Sequence, residues 1–350
     1  MTSNLSNAVK LQQQLDKERR LVSTDSYDLS VGQLLSMFEA GEIEVPPEYQ
    51  RQFVWDEVRE SQLIESVLLG IPIPSLFMAT NADSTWEIVD GVQRLGTIAH
   101  FSGRPDLLRK VVKNEPLKIT GLDKLSALNG ETIEGLSKPL QLMFNTRPMR
   151  VTVLNDKSDQ GVRFDLFERL NTGGISLTNQ EIRNCVFRGP FNEDLKRLSS
   201  HASFLSSVKI KSGDQRNGTL EEFVLRFFAF FDNYVGFDHS VKDFLNEYMK
   251  YRASGRLSLV EERLFKDTFD VISQNLPHGI VRGQRVTPVN LFEGVAVGVA
   301  LAIKSGRPVH PARLAGLLGD SNLRKFTTGA TNSKKAVVGR IEYVRDALVR

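Results

Sequence analysis

The chain has 350 residues, 41% of them hydrophobic and 25% charged. That is enough to bury a sizeable core without disulfides or a structural metal, and too apolar for wholesale disorder. Forty-five basic against forty-two acidic residues leave +3, too little for nucleic-acid binding over the whole surface, and one cysteine, Cys185, excludes an intramolecular disulfide, a Cys-rich zinc site and an iron–sulfur cluster held by this chain alone.

The charge is unevenly spread. Residues 1–155 hold 16 Lys/Arg against 20 Asp/Glu, whereas 156–350 hold 29 against 22, so the C-terminal half is the better candidate for a polyanion. The polar start, Met1–Leu15, has no apolar signal core. The longest apolar run, Gly294–Ile303, is too short to span a membrane, so no membrane association and a cytoplasmic location are expected.

Taken in order, residues 5–22 read as a polar helical arm. Ser30 with Gln33 is a capping pair ahead of Leu34, Leu35 and Phe38, and Gly41 is the stop. Pro46–Trp55 (PPEYQRQFVW) reads as extended. Asp56 caps a helix whose Leu63, Ile64, Val67 and Leu68 share a face before Gly70. Strands are expected at 74–80 and 86–89, then an Asp90-Gly91 turn and a helix from Val92 to Gly103. Residues 104–148 read as irregular with short helices, 149–154 as a strand, and nearly everything beyond 158 as helix. The organisation expected is an arm (1–26), an α+β domain (27–157) and a helical region (158–350).

The sharpest chemical feature is the turn. Asp90, Gln93 and Arg94 lie within five residues at a strand-to-helix junction, where amides at a helix N-terminus favour an anion. Gly91 permits close approach of a ligand, Arg94 supplies a forked cation, and Asp90 a carboxylate able to hold Mg²⁺ or orient water. The same residues also suit an ordinary turn in which Asp90 caps the helix and Arg94 is exposed.

Gln50 and Arg51 are candidates for a second contact to the same anion; otherwise Arg51 pairs with Glu48 or Asp56. In FDLFERLNTGGISLTNQEIRN, Phe164, Phe167 and Leu170 form a helix face, Gly173-Gly174 a stop, and Thr178 with Glu181 a capping box. Asn171 and Thr172 stand at that break, which a plain helix–loop–helix also explains. In the last segment Val337, Ile341, Val344 and Leu348 share a face, and residues 321–350 carry seven basic and two acidic residues. Lys334, Lys335, Arg340 and Arg345 are therefore candidates for nucleic-acid phosphates, against the alternative of a solvated basic face. The five histidines are scattered, Asp238-His239 lacks the residues that would complete an HNH nuclease motif, and Asp194-Leu195-Lys196 is a triplet common by chance. Nuclease activity within the chain is not expected.

Together YQRQFVW, LIESVLLGIPIP, WEIVDGVQR, FERLNTGG with TNQEIRN, and the closing TTGATNSK resemble, in that order, the DGQQR-motif N-terminal domain of GmrSD-type modification-dependent restriction systems, within the ParB/sulfiredoxin-like superfamily. The likeness covers roughly residues 27–350. It implies an α+β fold, a small mixed sheet with flanking helices followed by a mainly helical C-terminal region. It also implies NTP binding and hydrolysis in a phage-defence or restriction system. The motif falls on Asp90, Gly91, Val92, Gln93 and Arg94. Val92 replaces the family's glutamine, which puts nucleotide preference or hydrolysis in question. Asp90, Gln93 and Arg94 are then the expected catalytic residues, with Gln50, Arg51, Gly91, Arg94, Asn171 and Thr172 around the nucleotide and Mg²⁺ as the candidate cofactor, Asp90 its ligand. The form expected is stand-alone, lacking the HNH domain. Its expected partners are DNA and a separate effector or nuclease subunit, with a homo-oligomer as a further candidate. The alternative is a non-hydrolysing DNA-binding or scaffold protein of the same fold.

Overall fold

The structure, a computed structural model, describes residues 7–19, 23–46, 55–81, 83–155, 160–170, 177–283, 285–329 and 331–349. The chain forms two compact units, Met1–Ser176 and Leu177–Arg350.

In the first unit the order is α1 (Asn7–Arg19), β1 (Thr24–Ser30), α2 (Val31–Ala40), β2 (Ile43–Glu44), α3 (Glu57–Leu69), β3 (Leu76–Thr80), β4 (Trp86–Asp90), α4 (Val92–Ser102), α5 (Pro105–Lys110), α6 (Lys138–Thr146), β5 (Pro148–Leu154) and α7 (Gln160–Leu170). Local chemistry accounts for the helix ends. Ser30 Oγ accepts from the Gln33 amide, Asp56 accepts from the Arg59 amide, and Gly41, Gly70 and Gly103 end their helices in the left-handed region.

The five strands form one mixed sheet in the order β1-β5-β3-β4-β2. β3 runs antiparallel to β4 and parallel to β5, and β1 pairs antiparallel with β5 along its whole length. Tyr27 of β1 stacks on Trp86 of β4 with ring centroids 5.4 Å apart, although the two strands are not neighbours, so the sheet is strongly curled. Buried Leu76, Met78, Ile88, Val151 and Val153 from the strands, with Leu34, Phe38, Ile64, Val67, Leu95 and Ile98 from the helices, make the core. The strands expected from apolar runs are β3, β4 and β5. The structure adds β1 and β2, which the sequence reading left out.

The second unit is helical: α8 (Asn179–Val186), α9 (Pro190–Ser199), α10 (Ala202–Ser207), α11 (Thr219–Asn233), α12 (Val241–Arg252), α13 (Leu259–Asn275), α14 (Val289–Phe292), a π-helical turn (Glu293–Val297), α15 (Gly298–Lys304), α16 (Leu314–Gly319), α17 (Ser321–Thr327) and α18 (Lys334–Val349). Its core is aromatic, with Phe227 of α11 in ring contact with Phe265 and Phe269 of α13. Thr178 and Glu181 form the expected reciprocal capping box, and Val337, Ile341, Val344 and Leu348 are all buried.

Candidate functional site

The Asp90-Gly91 turn lies where the sheet is irregular. Met78 faces Ile88, but Phe77 faces Asp90, so β4 carries one extra residue, Val89, just before the turn. Such a bulge re-aims the side chain that follows it. Gly91 then takes φ +95°, ψ 16°, and the Leu95 amide bonds to its carbonyl at 2.9 Å to open α4. A Cβ at Gly91 would run into Leu76 Cδ2 and come within 2.9 Å of Arg94 Nη2. Both the conformation and the space therefore require glycine.

Side chains complete the turn. Arg94 Nη2 donates to Asp90 Oδ2 at 2.5 Å and to the Ser75 carbonyl at 3.2 Å. The Arg94 side chain is 16% exposed and that of Asp90 30%. Arg94 Nε is buried and has no hydrogen-bond partner among the described residues. Asp90 thus does not cap α4, and Arg94 is not an exposed side chain, so the plain-turn picture fails on both points. Gln93 Oε1 accepts from the Trp55 amide at 3.3 Å, and Arg59 stacks 4.6 Å over the Trp55 ring, which fixes the chain four residues after Arg51 against the turn. Val92, the residue that departs from the DGQQR pattern, points into the core at 5% exposure.

Of the expected catalytic and nucleotide-binding residues, Asp90, Gly91, Gln93 and Arg94 are brought together at one sheet end. Gln50, Arg51, Asn171 and Thr172 lie outside the described residues, as do most of the segment expected to be extended (46–55) and the Gly173-Gly174 stop. For Mg²⁺ the turn offers one carboxylate, with one oxygen engaged by Arg94. No group of three or more metal-ligating side chains occurs among the described residues. That set suits an ion that arrives with phosphate oxygens, not a resident metal.

The residues expected to contact nucleic acid divide. Lys334 and Lys335 are exposed on the first turn of α18. Arg345 is 30% exposed and bonds Asp346 Oδ1 at 2.8 Å and Glu342 Oε1 at 3.3 Å. Arg340 is 1% exposed and pairs with Glu293, which takes it off the basic face. The cause is register: Arg340 sits one residue before Ile341 and four before Val344, at the margin of the buried stripe. Asp194 is likewise structural, buried and accepting from the Leu257 amide at 3.0 Å.

The sequence reading also missed a buried pair behind the turn. His100 of α4 has Nδ1 2.9 Å from Glu60 Oε2 of α3 and Nε2 3.0 Å from the Glu115 carbonyl. Since that carbonyl only accepts, Nε2 is the donor in the second bond. This locks α3 to α4 and holds the helix that carries Gln93 and Arg94.

The first unit is thus an α+β domain whose curled mixed sheet delivers a charged strand–glycine–helix junction. Residues 31–188 match the family described as GmrSD restriction endonuclease, N-terminal domain. A domain of that description suggests a role in a restriction-type system. No curated protein and no solved structure matches it at a significant level.

Proposed function

We propose that the Asp90–Arg94 turn binds the phosphates of a nucleoside triphosphate and promotes its hydrolysis, as the sensing step of a DNA-targeting restriction system that works with a separate effector chain. The observation that carries this reading is the bulged, positive-φ turn that holds an arginine and a carboxylate together over a helix N-terminus. The first-turn amides and the helix dipole favour an anion there, and Arg94 adds charge-assisted donors. An arriving phosphate competes with Asp90 for Arg94, and Nε is a further donor for it. Asp90, released from that pair, is free to orient the attacking water. Gln93 holds the Trp55 end of the Gln50–Arg51 segment. Where Mg²⁺ comes with the nucleotide, Asp90 is the residue to hold it, and the ion supplies neutralisation of phosphate charge.

The test is nucleotide affinity by calorimetry beside phosphate release. Arg94→Ala should weaken binding by about 1.5–3 kcal/mol, roughly ten- to a hundred-fold. Asp90→Asn should keep most of the affinity and lose hydrolysis. If the wild type neither binds nor hydrolyses any NTP, with DNA present or absent, the turn is structural. The scaffold reading would then replace this one. Two observations favour it: Arg94 already has protein partners, and Val92 is turned into the core.

A further inference from the structure

We infer that the helical unit contains a second anion site, a polar cavity that binds a phosphate group between Arg226 and Asn332. The cavity has a volume of about 330 Å³ and is lined by Arg226, Val241, Asn290, Glu293, Thr331 and Asn332 among others. That volume lies at the small end of ligand pockets, roughly 300–1,000 Å³, with room for a phosphate and the group that carries it. It belongs to a different unit from the Asp90–Arg94 turn, and the inference does not rest on the turn's function.

Two of its lining residues, Arg226 and Glu293, belong to a line of alternating charges. Arg183 Nη1 pairs with Glu222 Oε2 at 3.1 Å, Glu222 Oε1 accepts from Arg226 Nε and Nη2 at 2.9 and 2.7 Å, and Arg226 Nη1 donates to Glu293 Oε1 at 2.6 Å. Glu293 Oε2 takes Arg340 Nη2, and Arg340 Nη1 continues to the Thr331 carbonyl at 2.6 Å. Both oxygens of the one carboxylate in the wall are therefore held by guanidinium groups. Arg226 uses three of its five N–H groups in this line, which leaves donors for the cavity. Burial works against the charge on Arg226, but Glu222 and Glu293 outweigh it and keep the guanidinium firmly protonated.

Two further features point the same way. Glu293 opens the π-helical turn, and single π turns concentrate at functional sites. The TTGATNSK segment, which the Asp90–Arg94 turn does not use, supplies Thr331 and the exposed Asn332, and passes directly into α18 with exposed Lys334 and Lys335. Spare donors, an amide at the mouth and lysines next in the chain make a surrounding for a ligand rich in acceptor oxygens. The ligand class is a phosphate group, inorganic or carried by a nucleotide.

The experiment uses the full chain. Melting temperature and calorimetric affinity are measured with inorganic phosphate, ATP and GTP, against chloride at matched ionic strength, for wild type, Asn332→Asp and Arg94→Ala. Asn332→Asp puts a negative charge at the mouth without touching a buried pair, so it should fold normally and lose affinity at least ten-fold. Arg94→Ala should lose only the turn's share of nucleotide binding and keep the response to inorganic phosphate, so the effect of Asn332→Asp on nucleotides is read in the Arg94→Ala background. A response to phosphate and nucleotides alike identifies the phosphate group as sufficient, and a response to nucleotides alone shows that the carrier is needed. The inference is overturned if phosphate and nucleotides act no differently from chloride, if Asn332→Asp binds as wild type does, or if Arg94→Ala alone removes all binding.

Discussion

Gly91 is where backbone conformation and packing meet. A non-glycine residue at φ +95° costs about 1–2 kcal/mol, and the collision of its Cβ with Leu76 adds an overpacking cost of about 1–3 kcal/mol. Gly91→Ala should therefore lower unfolding free energy by about 2–5 kcal/mol in urea titration, while Gly41→Ala, with φ +81° and open space around it, should lose only the conformational part. Equal losses in the two variants would show that the Leu76 contact does not hold the turn. Much at this scale was legible. Ser30, Asp56 and Thr178 cap as their side-chain chemistry requires, because capping depends on residues three apart in sequence. The orientation of Arg94 was not, since the carbonyl it bonds belongs to Ser75, nineteen residues earlier. Nor was the burial of Arg340, although a lone charge inside an apolar run, as Glu293 is in LFEGVAVGVALA, is a sequence signal that a buried partner exists elsewhere.

Among elements, apolar runs found β3, β4 and β5, which are buried. They missed β1, because TDSYDLS is mostly exposed and is set by backbone pairing with β5, and β2, because it is two residues long. Interhelical ion pairs were equally invisible. Glu262 of α13 accepts from Arg197 of α9 at 2.9 and 2.8 Å and from Lys266 at 2.6 Å. The Arg197 and Lys266 bonds hold its carboxyl down to about 2 from 4.5. A depressed folded-state value stabilises above the unfolded value, so this contribution is present above about pH 4.5 and is lost as pH falls toward 2. The pair is partly solvated, so its contribution is about 1 kcal/mol. Glu262→Gln should lower stability by that amount at pH 6 and by much less at pH 2. A difference that persists undiminished at pH 2 would assign the loss to packing instead.

For the whole molecule the division into two units sharpens the charge asymmetry read from the sequence. Residues 1–176 hold 24 acidic and 19 basic residues, and 177–350 hold 18 and 26, so the first unit is net −5 and the second net +8. Each unit has its own buried core: the curled sheet with its helices in one, the phenylalanine cluster of α9, α11 and α13 in the other. Residues 177–350 expressed alone should therefore fold cooperatively. If DNA is bound through backbone phosphates, this fragment should carry the binding, without sequence preference and with affinity that falls steeply as salt rises. The basic residues that remain exposed on α18 are Lys334 and Lys335, because Arg340 is buried and Arg345 is matched by Glu342 and Asp346. Lys334→Glu with Lys335→Glu should weaken binding uniformly across sequences and reduce the slope of log affinity against log salt by about 2, since each lost phosphate contact removes roughly 0.9. Fluorescence anisotropy over a salt series gives the slope, and circular dichroism confirms the fold. Binding by residues 1–176 alone, or an unchanged slope in the double variant, would remove DNA from the second unit and leave its positive charge to the phosphate cavity.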